Sequence, residues 1–330
     1  MKKIVIIFLF ALLATDVFAQ AQSISQIKAK WNQLKPKPVA NIYVKEPSLK
    51  EPFNYGRLYP AFIANGTNML NFFRYLAGLP EVSAELSDNI RCQAGALVTA
   101  LNGKLLHDPP QPKGLGYHEG YEQGREACAV SNLNWHSNDN DPLENAVKAW
   151  LDDTDTSNID RMGHRRWALS PQMKRTGFGW ISVKGKGTYS LMYAADKSGT
   201  TKKERVLWPT EGYFPVDFMY PMQAWTIILD HDVYSNTDAN IANVSVKLTC
   251  LNNNKTWTFT KADKNTSGKY FNVNNYRSAG MYYFIIFRPD GITSYGGNTN
   301  RYKVEVMGLK GVKNNALPTM VYNVEFFSLQ

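Results

Sequence analysis

Apolar residues recur every three or four positions in two segments of the first half of the chain. This spacing buries one face of an α-helix. The first segment covers residues 67–77 and stops before Gly78, and the second covers residues 86–101 and stops before Gly103. Glycine takes the left-handed conformation that ends a helix more easily than other residues do. The pattern therefore predicts two amphipathic helices with glycine stops.

A third helix is predicted to begin at Asp141. There Asp141 would cap the first turn, Pro142 would take the first helical position, and Glu144 would complete a capping box. We expect Glu144 to act as part of this capping box and not as a functional residue. The buried face of the helix would consist of Leu143, Val147, Trp150 and Leu151.

After Pro171 the pattern changes to runs of β-branched and aromatic residues. Runs at residues 176–183 and 188–194 flank a Gly-Lys-Gly turn and predict a hairpin. From about residue 205 onward, short β-rich runs alternate with clusters of Asn, Asp and Gly. These runs lie at residues 225–229, 244–248, 257–260, 282–287, 302–307 and 321–327. Such regular spacing without helical segments predicts an antiparallel β-sandwich of the immunoglobulin-like type.

The first 19 residues have the pattern of an export signal. Lys2 and Lys3 precede an apolar run at residues 4–14, and Val17 and Ala19 stand where a signal peptidase needs small residues. A membrane anchor is the alternative, but about 11 apolar residues are too few to cross a bilayer of about 30 Å. No later run is apolar enough to do so. We therefore expect a periplasmic or extracellular protein without a transmembrane segment once the signal is removed.

Prolines are frequent between residues 20 and 60, among lysines and polar residues. That composition favours an extended lead-in over a packed element. The expected organisation is a signal at residues 1–19, the lead-in at 20–60, a mixed α/β domain at 61–204 and the β-sandwich at 205–330. Since 44% of the 330 residues are hydrophobic, the chain can supply two cores of ordinary domain size.

The formal net charge is +9, and loss of the export signal would lower it by one. Such a charge could attract an anionic lipid, a cell-wall polymer or a polysaccharide, but the basic residues are interleaved with acidic ones and predict a solvated surface. The sequence has no Gly-rich phosphate loop, dinucleotide fingerprint or RNA-binding aromatic motif. We therefore expect no nucleic-acid partner.

The three cysteines, Cys92, Cys128 and Cys250, are too few for a disulfide scaffold. Export to an oxidising compartment would allow a Cys92–Cys128 bridge, which would stabilise the fold by about 4 kcal/mol in the chain-entropy model. The sequence allows either this bridge or two free thiols at Cys92 and Cys128. Cys250 would then be a buried apolar residue in a strand.

Four segments together resemble one known family. They are GHRRWALSP at residues 163–171, NFFRYLAGLP at 71–80, LLH at 105–107 and SNL at 131–133. The chain is similar to the CAP superfamily of cysteine-rich secretory, antigen-five and pathogenesis-related proteins, which share an SCP-like extracellular domain, and especially to its secreted bacterial branch. The resemblance implies an α+β protein, with a CAP-type α-β-α sandwich at residues 61–204 ahead of the β-sandwich.

The resemblance also implies a cleft where two histidines converge with acidic residues. It places the histidines at His107 and His164, and one acid at Asp153, three residues after a helix tryptophan. The family's second acid has no match, because this chain, like its bacterial look-alikes, has Ser131 followed by Asn132 where eukaryotic members have a glutamate followed by asparagine. These five residues are the expected cleft residues.

Two imidazoles and a carboxylate form the kind of ligand set that holds zinc with an open position for water. His107, His164 and Asp153 are therefore candidate ligands for zinc or another divalent cation. The alternative is that the histidines exchange hydrogen bonds in a polar cleft without a metal.

Arg165 and Arg166 have the chemistry of anion clamps, since guanidinium groups bind carboxylate and phosphate in a bidentate manner. The acidic segment at residues 152–160 favours internal pairing instead. The arginines would then fix the helix that carries His164, with Trp167 and Leu169 packed underneath.

The sequence is compatible with three functions. The first is a secreted binding protein whose cleft takes a small or apolar ligand, a divalent metal or part of an envelope polymer. The missing glutamate favours it over the second, a metal-dependent hydrolase or peptidase that would need two acid–base groups. In the third, the β-sandwich is the adhesive or polymer-binding part.

Overall fold

The structure is a computed structural model that describes residues 22–276 and 283–330. The predicted export signal lies outside the described residues. A helix covers Ile24–Leu34, so the extended lead-in predicted at residues 20–60 is wrong over this stretch. Helix α1, Ile24–Leu34, begins with a capping box in which Ser23 and Gln26 satisfy each other's backbone amides. It forms because the prolines begin only at Pro36, beyond the end of the helix.

The elements from residue 43 to residue 193 alternate between helices and short strands. In chain order they are β1 Tyr43–Lys45, β2 Arg57–Leu58, α2 Pro60–Leu76, β3 Ser83–Ala84, α3 Leu86–Asn102, a π-helical turn Tyr117–Tyr121, α4 Glu122–Ala129, β4 Ser131–His136, α5 Leu143–Asp152, α6 Gly163–Ala168, β5 Arg175–Thr176, β6 Phe178–Val183 and β7 Gly187–Tyr193.

Strands β4, β7 and β6 form an antiparallel sheet with helices on both faces. Along β6, Phe178 and Trp180 face the core that includes α2 and α5, whereas Ile181 faces the core that includes α3 and α4. Helix α3 lies so close to the sheet that a Cβ on Gly179 would come 2.0 Å from the carbonyl oxygen of Cys92. The predicted α-β-α arrangement and the β6–β7 hairpin are confirmed.

The remaining strands form two facing sheets. The elements are β8 Arg205–Trp208, β9 Gly212–Pro215, a 3₁₀ turn Val216–Phe218, β10 Trp225–Leu229, α7 Asp238–Ile241, β11 Ser245–Cys250, β12 Thr256–Phe259, β13 Tyr270–Asn274, β14 Tyr283–Arg288, a 3₁₀ turn Gly297–Thr299, β15 Arg301–Met307 and β16 Met320–Phe327. One sheet has the order β13-β14-β10-β8 and the other β12-β11-β15-β16-β9. An aromatic cluster of Trp225, Tyr295, Tyr302 and Phe326 joins them. The predicted α+β class with a β-sandwich is confirmed, although β9 pairs with β16 in parallel.

The two halves of the chain share one hydrophobic core. Phe218, which precedes β10, lies 5.4 Å from Trp31 and 5.0 Å from Phe73 between ring centroids. Trp208 of β8 lies 5.6 Å from Phe73 in an edge-to-face arrangement. The β-sandwich therefore packs directly on α1 and α2, and the predicted domain boundary at residues 204–205 stays a prediction.

Two predictions about helix starts are corrected. Helix α2 begins at Pro60 instead of about Thr67, because the proline occupies the first helical turn. Helix α5 begins at Leu143 with Pro142 as its cap residue and without a side-chain cap, so the capping box is wrong. Instead Asp141 accepts a hydrogen bond from the side chain of Asn145.

All three cysteines are buried free thiols, so the Cys92–Cys128 bridge is not formed. Cys92 and Cys128 make weak contacts to the hydroxyls of Ser131 and Thr99 at 3.8 and 3.4 Å. Within the described ranges, every helix is too short or too polar to cross a membrane.

Candidate functional site

A cavity of about 600 Å³ lies where α6, the start of β4 and the end of β7 meet the β-sandwich. Four of the five predicted cleft residues line it: His107, Ser131, Asn132 and His164. Asp153 does not, because it lies beneath His164 with no exposed side-chain surface. The fold thus brings together residues from α6, β4 and the loop after α3.

The loop that follows the glycine stop of α3 carries His107. Gly103 ends the helix with a φ of +62°, as its position after the apolar segment predicts. The Nδ1 atom of His107 lies 2.8 Å from the carbonyl oxygen of Cys128. Because a carbonyl only accepts, Nδ1 carries the proton and the neutral ring keeps Nε2 as an acceptor.

His164 is fixed by the carboxylate of Asp153. Its Nδ1 atom lies 3.0 Å from Oδ1, while the backbone amides of His164 and Arg165 donate to Oδ2 over 3.1 and 3.2 Å. The side chain of Asn158 donates to Oδ1 as well. Asp153 reaches this place because it ends α5 in a left-handed conformation, with a φ of 47°. His164 therefore also presents Nε2 as its unprotonated nitrogen when neutral.

Ser131 and Asn132 begin strand β4 and form the floor of the cavity. Both are buried, and the amide of Asn132 donates to the carbonyl oxygen of His164 over 3.0 Å. This bond ties β4 to α6 and uses the donor side of the amide, so the oxygen of Asn132 remains an acceptor. Ser131 stands beside Cys92, where burial raises the pKa of the thiol to about 12.

The predicted zinc set does not form a compact group. Both oxygens of Asp153 already accept hydrogen bonds from α6 and from Asn158. Of the side chains that the structure describes, one group of three has its ligand atoms within 4.8 Å of one another: Asp230, His231 and Asp232. Those residues are consecutive, at the end of β10. The cleft therefore offers two imidazole nitrogens to a metal, with Asp153 behind one of them, and does not fit a site with three protein ligands.

Arg165 and Arg166 are buried, and the guanidinium of Arg165 donates to backbone carbonyl oxygens instead of pairing with the acidic side chains predicted for it. Arg165 donates to the carbonyl oxygens of Leu151 at 2.5 Å and Asp152 at 2.9 Å, and reaches that of Ala224 in the β-sandwich at 2.6 Å. Burial lowers the pKa of Arg165 and of Arg166 to about 10, and neither approaches a value that would remove the charge. The backbone carbonyl oxygens satisfy the N–H groups of the Arg165 guanidinium, since they accept hydrogen bonds without adding another charge to the buried site.

The β-sandwich supplies one wall of the cavity. Arg166 donates to the Oδ1 of Asn274 at 2.8 Å and to the carbonyl oxygen of Tyr276 at 3.4 Å, and both of these residues line the cavity. Asn274 also donates to the carbonyl oxygen of Asp160. Sequence reasoning missed this wall, because nothing in the strand pattern at residues 270–276 points to a partner about 110 residues earlier.

A second cavity, of about 510 Å³, lies between α2, α3 and the β1–β2 hairpin. Its wall is mainly apolar and includes Leu58, Ile63, Leu86 and Phe178. Arg57 stands at its edge, and none of the described residues forms an ion pair with it. This cavity contains neither of the predicted cleft histidines.

Comparison with known proteins finds a family match for one part of the chain. Residues 67–194 match the model of the CAP, or cysteine-rich secretory protein, family. A solved structure, an extracellular protein containing a SCP domain from Bacillus anthracis str. Ames, is 17% identical with a TM-score of 0.28. That match covers 42% of this chain and 44% of the other, so the chain spans less than half of that neighbour's length. A search of curated proteins finds no match.

Proposed function

Residues 67–194 form a CAP domain, and on that premise we propose that the protein is an exported binding protein whose cleft takes a small polar ligand. One observation carries the proposal. A single cavity of about 600 Å³ gathers His107, Ser131, Asn132 and His164 from separate parts of the chain. Concave sites of this size with a few convergent polar groups are typical of small-molecule binding.

The two histidines supply the recognition chemistry. Each has its Nδ1 atom held by an oxygen, from the backbone of Cys128 or from Asp153, at 2.8 and 3.0 Å. Each therefore offers an Nε2 acceptor in a fixed orientation, and fixed groups lose little entropy when a ligand binds. Asp153 is a positioning residue in this arrangement, because it acts through His164.

The geometry favours binding over the metal-dependent hydrolase. A hydrolytic zinc site normally has three protein ligands and a base near the metal-bound water. Here Asp153 faces away from the cavity, and its carboxylate is saturated by hydrogen bonds from His164, Arg165 and Asn158. We therefore propose no bond-breaking step, and treat a divalent cation as one ligand class to be tested.

The proposal is tested by calorimetry with defined probes. Zinc chloride, sodium phosphate, sodium acetate and a neutral trisaccharide are titrated into the mature protein, residues 20–330, and into its His107→Ala and His164→Ala variants. We expect at least one probe to bind, and to lose about tenfold or more in affinity in both variants. His136→Ala is the control, since His136 lies outside the cavity. If no probe binds, or the control loses as much, the cleft is not the binding site.

An apolar ligand would fit the second cavity instead. Its apolar wall and the exposed Arg57 at its edge suit a molecule with a hydrocarbon part and one negative charge. Anilinonaphthalene sulfonate, which has this character, is a direct probe. We expect its fluorescence to rise with the wild-type protein and not with Ala64→Trp, because Ala64 lines the cavity at an exposed position. Equal fluorescence from the two proteins would exclude this cavity.

Export is the remaining part of the proposal. It rests on the secretory family and on the pattern of the first 19 residues. Fractionation of cells that express the full chain, with mass spectrometry of the mature N-terminus, tests it. We expect the protein outside the cytoplasm and cleaved after Ala19. Intact protein in the cytoplasm would contradict it.

A further inference from the structure

We propose that the ligand of the histidine cleft is a neutral saccharide, and that Tyr276 of the β-sandwich stacks on its ring. The inference rests on the proposed function and names its ligand class. Three features of the cavity carry it: a set of fixed hydrogen-bond acceptors, a balance of charge, and an exposed aromatic side chain on the wall that the β-sandwich supplies.

The cavity offers several fixed hydrogen-bond acceptors to a ligand. His107 and His164 offer Nε2, Asn132 offers its amide oxygen, and Asp155 and Asp160 add exposed carboxylates at the rim. Acceptors need donors from the ligand. Hydroxyl groups arranged around a ring supply several donors without adding charge, which is the chemistry of a sugar.

The charges of the cavity wall balance. Asp155 and Asp160 are opposed by Arg161 and Arg166, and the guanidinium of Arg166 already donates to Asn274. Arg161 donates to Asp160 and to the carbonyl oxygen of Ser157. A phosphate or a free amino group would therefore gain little net attraction, whereas a neutral ligand avoids the cost of losing charged-group hydration.

Tyr276 gives the cavity an aromatic face. Tyr276 is 73% exposed, which is unusual for so large a residue, and Trp167, which also lines the cavity, is partly exposed. The apolar faces of sugar rings pack against tyrosine and tryptophan, because these side chains combine an apolar ring with a polar end. A ring held between the acceptors and Tyr276 would use both kinds of contact.

The position of Tyr276 is set by the helix that carries His164. Arg166, two residues after His164, donates to the carbonyl oxygen of Tyr276 and to Oδ1 of Asn274, which also accepts from the Tyr276 amide at 3.1 Å. One short helix thus orients the acceptor and the aromatic wall together. This coupling gives the buried guanidinium of Arg166 a positioning role in the wall of the cavity.

The test is calorimetry with three neutral oligosaccharides: triacetylchitotriose, cellotriose and maltotriose. We expect at least one to bind wild-type protein. Tyr276→Ala should weaken it about tenfold, in line with the value of one aromatic contact, while Tyr276→Phe stays within about threefold because the ring remains. Tyr59→Ala is the matched control, as Tyr59 is an exposed tyrosine outside both cavities.

The outcomes separate this inference from the proposed function. If no oligosaccharide binds but zinc or phosphate binds and is lost in His164→Ala, the saccharide is overturned and the cleft remains a binding site. If an oligosaccharide binds equally well to Tyr276→Ala, the stacking role is overturned. If none of these probes binds, both proposals fail. A loss confined to Tyr276→Ala and His164→Ala supports both.

Discussion

The Nδ1 atom of His164 lies 3.0 Å from Oδ1 of Asp153, and that carboxylate has no exposed surface. The same carboxylate accepts the backbone amides of His164 and Arg165 through its other oxygen. It therefore serves the first turn of α6 as well as the imidazole. This arrangement explains how one buried charge can both start a helix and orient the histidine that the helix presents to the cavity.

Asp153→Asn should lower the free energy of unfolding by about 2 kcal/mol, because the variant replaces a charged acceptor of several N–H groups with a neutral one. Urea denaturation followed by tryptophan fluorescence measures it. Asp155→Asn is the matched control, since Asp155 is exposed and its oxygen accepts the Ser157 amide as an asparagine oxygen also can. Equal losses in the two variants would contradict the account of Asp153.

Arg165→Met should cost about 3 kcal/mol or more, because the carbonyl oxygens of Leu151, Asp152 and Ala224 would lose a buried donor. We also expect the two halves to unfold less cooperatively in calorimetry. Arg161→Met, four residues earlier with a side chain that is 54% exposed, should change stability little. A stable, cooperative Arg165→Met would show that Arg165 does not join the two halves.

The three thiols should be free but unreactive in the folded protein. Burial raises the pKa of Cys92 to about 12 and that of Cys128 to about 11, so neither forms the reactive thiolate at about pH 8. Ellman's reagent should detect all three thiols in guanidinium chloride without reductant, and react slowly with the native protein. Detection of a single thiol after denaturation would mean that a bridge had formed.

Asp152 should make the protein less stable as the pH rises from about 4 to about 7. Burial, partly offset by the hydrogen bond from Tyr220, raises the pKa of Asp152 to about 6 from its ordinary 3.8. The unfolded chain therefore loses this proton at a lower pH than the folded chain does. As a result, the free energy of unfolding falls as the pH rises above the pKa of the unfolded chain.

Asp152→Asn removes that titration. Relative to wild type, the variant should gain about 2 kcal/mol between about pH 4 and about pH 7, and any constant offset from the altered bond to Tyr220 should cancel in the comparison. Urea denaturation at several pH values measures the difference. A difference that stays constant with pH would contradict the raised pKa.

Local patterns in the sequence predicted the elements whose partners are close in the chain. Helix α3 ends at Gly103 as predicted, and strand β10 has the predicted bounds. Helix α1 was missed, because the prolines after Pro36 dominate the composition of residues 20–60. The capping box at Asp141 failed since Pro142 itself takes the cap position and moves Glu144 out of register.

The candidate site was predictable only as far as the family motif reaches. His107 and His164 were identified from the resemblance, and both line the cavity. The orientation of Asp153 depends on the left-handed turn that ends α5, which a spacing rule does not encode. Asn274 and Tyr276 line the cavity, where both accept hydrogen bonds from Arg166. A contact between residues about 110 positions apart in the chain leaves no trace in local periodicity.

The central claim is that His107 and His164 present Nε2 acceptors to one cavity. Long-range proton–nitrogen NMR spectra of histidine-labelled protein at about pH 8 test it directly, because they report which ring nitrogen carries the proton. We predict the Nδ1–H tautomer at both residues, and signals that move together when a ligand is added. An Nε2–H tautomer at either residue, or signals that respond to a ligand separately, would contradict the account.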